Sequence, residues 1–142
     1  MEGNVVIKVN PIDTEVGVIS GRDGIYLDRL ESDGRDLTVT GEFNGSLVSR
    51  NAGNLEWIPY ELVFQSVLSY FTCELDTYEA MTEYRTDRSE SFLLVEESPY
   101  LRDLPVRSDY KREEYHHYLL YTYDVVLNVL AKKMNLKIRG EK

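Results

Sequence analysis

Residues 118–131, YLLYTYDVVLNVLA, form the most apolar run of the chain, and whatever the chain folds into must bury it. Two periods meet inside the run. Over residues 115–123, Tyr, His, Leu and Thr alternate with both faces largely apolar, the pattern of a central strand rather than an edge. Asp124 interrupts, and from Val125 the apolar positions follow a 3.6 period. Asn128, Lys132 and Asn135 fall on one side, and Val125, Val126, Val129, Leu130 and Met134 on the other. Asp124 suits an N-cap, because its carboxylate can accept from free amides of a first helical turn. Lys132 and Lys133 suit the carbonyl end of the helix dipole, and Asn135 suits a left-handed terminator. The reading is strand, cap, and a helix over residues 125–134. One long strand through Ala131 is the rival, set aside on the Asn128/Lys132/Asn135 stripe.

Upstream, short apolar segments at 5–9, 16–19, 25–30 and 37–43 are separated by Gly-, Asn- and Asp-rich turns. Asp33-Gly34 and Asn44-Gly45 are hairpin steps, with 46–49 expected to pair back. Residues 57–75 fit either period, but the Val, Phe, Tyr, Thr and Cys content, following a meander, favours a strand. A further strand is expected at 91–95, with polar connections at 76–91 and 100–112. The predicted fold class is α+β: mainly an antiparallel β meander, as a sandwich or partly open barrel, with the C-terminal α-helix packed on the sheet. A chain of 142 residues without a linker or repeat reads as one domain, 1–142.

The formal charge of −9 excludes a phosphate backbone or an anionic bilayer surface as the expected partner. It suits a basic protein instead. The single cysteine, Cys73, allows no internal disulfide and no cysteine metal site. The segment MEGNVVIKV lacks the features of a signal peptide, so the expected location is the cytoplasm. Oligomeric state is left open.

Candidate chemistry is sparse. His116 and His117 are the only histidines, and with Glu113 just before them they are the candidate acid–base or metal site. Adjacent histidines on a strand point to opposite faces, however, and a metal needs three or four converging ligands. No metal and no cofactor are therefore expected. Glu96 and Glu97 diverge for the same reason, and Asp124 is accounted for by its cap. No nucleophile elbow, phosphate loop or dinucleotide fingerprint occurs. Asp76, Glu79, Glu83, Asp87 and Glu90, with only Arg85 and Arg88 among them, form the best candidate docking surface for a basic partner. Eleven tyrosines against four phenylalanines suit strands and interfaces alike.

The ordered segments GEFNG, WIPYELVFQSVLSYF, SFLLVEESPYL and HYLLYTYDVVLNVLA resemble small bacterial proteins, among them the immunity proteins that neutralise polymorphic toxins. The resemblance covers about half of the chain. It implies a binding protein without chemistry, whose acidity would suit a basic toxin. The functional expectation is an acidic interaction module using the carboxylates around 76–90 and exposed tyrosines. The alternative is a small enzyme or ligand binder that pairs His116 or His117 with a nearby carboxylate, and a purely structural subunit is a third possibility.

Overall fold

The computed structural model describes residues 7–81 and 89–139. Seven strands form one antiparallel sheet: β1 Lys8–Pro11, β2 Ile25–Ser32, β3 Leu37–Asn44, β4 Trp57–Glu74, β5 Phe92–Glu96, β6 His116–Tyr121 and β7 Val125–Ile138. Their spatial order is β1-β5-β6-β7-β4-β3-β2, so the apolar run supplies the middle of the sheet, with β7 the central strand. Two short helices, α1 Leu75–Glu79 and α2 Pro99–Asp103, follow β4 and β5.

The helix expected at residues 125–134 is not there; the chain stays extended as β7 through Ile138. The reason lies in the supposed polar stripe. Asn128 is fully buried and hydrogen-bonded, whereas Lys132 and Asn135 are exposed, so the three do not share a solvent face. From Val126 to Ala131 every residue is buried, because both faces of the central strand are covered. Asp124 caps no helix at residue 125; the β6–β7 turn belongs to Thr122, whose hydroxyl donates to the Val125 carbonyl at 2.7 Å and accepts from the Val125 amide at 3.0 Å. The rival, one long strand through Ala131, fails as well: the chain turns at residues 122–124, and β6 and β7 pair antiparallel as a hairpin.

Residues 57–74 form a single strand, as their composition suggested. Its helix-like period has a specific origin. Ile58, Tyr60, Leu62 and Phe64 alternate into the main core. Ser66 then takes a left-handed conformation, φ +57°, and Leu68 is an extra residue in the register with β7. Each irregularity resets the alternation, so Val67 reaches the main core while Phe71 and Cys73 serve a second one. The kink is tied across the sheet. The Ser66 amide donates to Asp36 Oδ1 at 3.0 Å and the Val67 amide to the Arg35 carbonyl at 2.8 Å.

Curling places the main core on one face, where Leu37, Val39, Phe43, Tyr60, Phe64, Tyr118, Leu127 and Val129 meet. The opposite face, with Leu93, Leu119 and Val126, is covered by α1 through Leu75 and Tyr78. The sheet does not close. Its β2 end nevertheless returns to the β6–β7 turn, where the Tyr123 amide donates to the Ile25 carbonyl at 2.9 Å. Residues 16–19, expected as a strand, make only isolated bridges; Ile19 meets Val48. The Asn44-Gly45 step opens a short 3-10 turn capped by the Asn44 side chain rather than a two-residue hairpin. The outer strands are poor templates: β1 has four residues and ends in Pro11, and β2 carries a bulge at Asp28. Among the described residues, no helix is long and apolar enough to cross a membrane.

Candidate functional site

The two histidines part company as adjacent strand residues must. His116 is exposed, as is Glu113 on the preceding 3-10 turn. His117 is buried under α1 and α2, 1% exposed. Its Nε2 donates to Asn128 Oδ1 at 2.6 Å, and its Nδ1 accepts from the Ser98 hydroxyl, also at 2.6 Å. Asn128 donates onward to the Tyr78 hydroxyl at 3.3 Å. Burial lowers the His117 pKa to about 4, against an opposing effect of the Asn128 hydrogen bond, so the ring is neutral near pH 7. A serine beside a histidine has the outline of an activated nucleophile. Here, however, Ser98 is 7% exposed and its oxygen accepts from the Leu101 amide as the N-cap of α2. The chain Ser98–His117–Asn128–Tyr78 therefore joins both covering helices to the sheet. No carboxylate is in it, and no group of three or more metal-binding side chains forms among the described residues.

An open groove of about 410 Å3 lies at the β4 kink, lined by Arg35, Tyr110, Lys111, Glu114, Tyr115 and Lys132 among others. No histidine or cysteine borders it. Lys132 pairs with Glu114 at 3.0 Å, and Asp109 takes Arg107 at 2.7 Å, so much of its charge is already matched.

The exposed end where β2 returns to the β6–β7 turn is different. Tyr26 is the hub: Tyr123 stacks on it with centroids 5.0 Å apart, and Trp57 meets it edge-on at 5.2 Å. Trp57 and Tyr123 are 40% and 47% exposed, so large aromatic surface remains in water. Two carboxylates, Asp23 and Asp124, lie near enough to act on Tyr26. Burial, and then the charge of Asp23, push the Tyr26 hydroxyl pKa upward, with a further contribution from Asp124. Asp124 abuts α1, its carbonyl accepting from the Leu75 amide at 3.0 Å. On α1, Asp76 takes Arg22 at 2.9 Å. That hydrogen bond leads the upward shift of Arg22, and Glu79 and Asp23 add to it. Asp23, next to Arg22 in the chain, acts electrostatically on both Tyr26 and Arg22.

Of the carboxylates singled out from sequence, Asp76 and Glu79 lie at this end, and the Glu90 backbone bridges Ser20 beside the 20–24 loop. Glu83 and Asp87 lie outside the described residues. No protein-family model matches this chain, and comparison with the curated proteins and with the solved structures gave no significant match.

Sequence reasoning missed Tyr26, Trp57, Tyr123 and Asp23 as a group. They come from the β2 start, the β4 start, and two loops, and only curling of the sheet unites them. The tyrosine excess was the one available hint.

Proposed function

We propose that the chain is a cytoplasmic, immunity-like interaction module that binds a basic protein through the acidic aromatic end formed by Tyr26, Trp57, Tyr123, Asp23, Asp124 and α1. The observation that carries this is the exposed aromatic group set among carboxylates, with Arg22 as a neighbouring cation already paired to Asp76. Interfaces draw their energy from a few aromatic anchors, while complementary charge steers the encounter. The buried His117 gives no comparable support for chemistry, since both its nitrogens are engaged inside the protein.

Titration of the isotope-labelled protein with a lysine- and arginine-rich peptide tests the reading. Amide shifts are expected in residues 20–26, 74–79 and 122–125, with affinity falling as salt rises. Asp23→Asn and Asp124→Asn should each weaken binding by about two- to five-fold at low salt, the scale of an exposed charge pair. Shifts scattered over the surface, or centred on another face, would reject it.

A further inference from the structure

Resting on that reading, we infer that Trp57 and Tyr123 form a receptor for an arginine side chain of the partner, with Asp23 and Asp124 as its carboxylate flank.

The aromatic group is more than a plug where the curled sheet returns on itself. Tyr26 alone is wedged between its neighbours; Trp57 and Tyr123 keep 40% and 47% of their area exposed. Exposed rings are attractive to a cation through their negative faces. Of the two cationic side chains, arginine fits better. Its planar guanidinium lies flat on a ring while its edge hydrogen bonds to a carboxylate, and it sheds water more readily than an ammonium. Lysine offers a compact, strongly hydrated point charge, with no plane to stack on a ring and no fork for a carboxylate.

The rings are also held in advance. The buried Tyr60 hydroxyl donates to the Tyr26 carbonyl at 3.0 Å. That carbonyl sits where Gly41 has no side chain; a Cβ there would lie 1.9 Å from the oxygen. The Tyr123 backbone is fixed by its bond to Ile25, and the turn beneath it by Thr122. Trp57 opens β4, paired with Asn44 of β3. Binding therefore orders little that is not ordered already, which favours affinity.

Two probes of equal charge, hexa-arginine and hexa-lysine, decide the matter, because Trp57 is the only tryptophan and reports directly on the site. Hexa-arginine is expected to change the indole emission and to bind several-fold tighter than hexa-lysine. Trp57→Ala and Tyr123→Ala should each weaken hexa-arginine by about two- to thirty-fold, the range of a cation–π contact, and bring it toward the hexa-lysine value. Their salt dependence should stay unchanged, whereas Asp23→Asn should flatten it. Trp57→Phe, which keeps a ring and the strand, should retain most of the preference. If both peptides bind this end equally, or the ring deletions leave hexa-arginine unaffected, the arginine receptor is wrong while the acidic-surface reading stands. If neither peptide shifts this end, both fall together.

Discussion

At the scale of single residues, His117 and Gly41 carry the most consequence. His117 is held neutral inside the fold, with a pKa of about 4 against 6.5 when free. Between those values the unfolded chain binds a proton that the folded chain refuses, so stability rises with pH across that window. The contribution is complete above about pH 6.5 and is lost as pH falls toward 4. It amounts to roughly 3 kcal/mol at one pKa unit per 1.36 kcal/mol. Urea unfolding at pH 7 and pH 5 should show a marked loss for the native sequence and a smaller one for His117→Gln, which is less stable at pH 7 but lacks the titrating ring. Gly41→Ala places a methyl against the Tyr26 carbonyl and should lower stability by about 1–3 kcal/mol, as overpacking does. Its further expected signature is a change in Trp57 emission, since the displaced carbonyl belongs to the residue on which Trp57 rests.

At the scale of elements, the two longest strands account for what could and could not be read in advance. The short strands β2 and β3 were legible because alternation and turn residues agree; Leu37, Val39, Gly41 and Phe43 all face inward as written. In β4 the alternation is broken twice within a few residues, at Ser66 and Leu68, and a broken period of two imitates one of 3.6. In β7 the imitation came from Asn128, a polar residue whose partners are His117, on the other arm of the β6–β7 hairpin, and Tyr78, on the far-off α1. Neither partnership has a local sequence signal. The Ser66 kink makes its own prediction. Because a left-handed conformation costs a side chain about 1–2 kcal/mol, Ser66→Gly should hold or raise the urea midpoint, and Ser66→Val should lower it.

At the scale of the whole molecule, stability should decline outward from β7. Hydrogen exchange is expected to be slowest at the amides of residues 126–130, which are buried and paired with β6 and β4, and fastest in β1 and the outer half of β2. Uniform exchange, or protection greatest at β2, would contradict that order. Of the acids at this end, charge alone singled out Asp76 and Glu79 but not Asp23 or Asp124, and the aromatic centre was not legible either, because the curl that gathers Tyr26, Trp57 and Tyr123 is a property of the assembled sheet. The blunted outer strands have a last consequence. With a proline at one rim and a bulge at the other, the backbone offers little purchase to a visiting strand. On the proposed reading, recognition would fall to side chains, which are indifferent to whether the visitor presents its charge from a helix, a loop or a strand, so partners of unrelated architecture would be held by the same few groups.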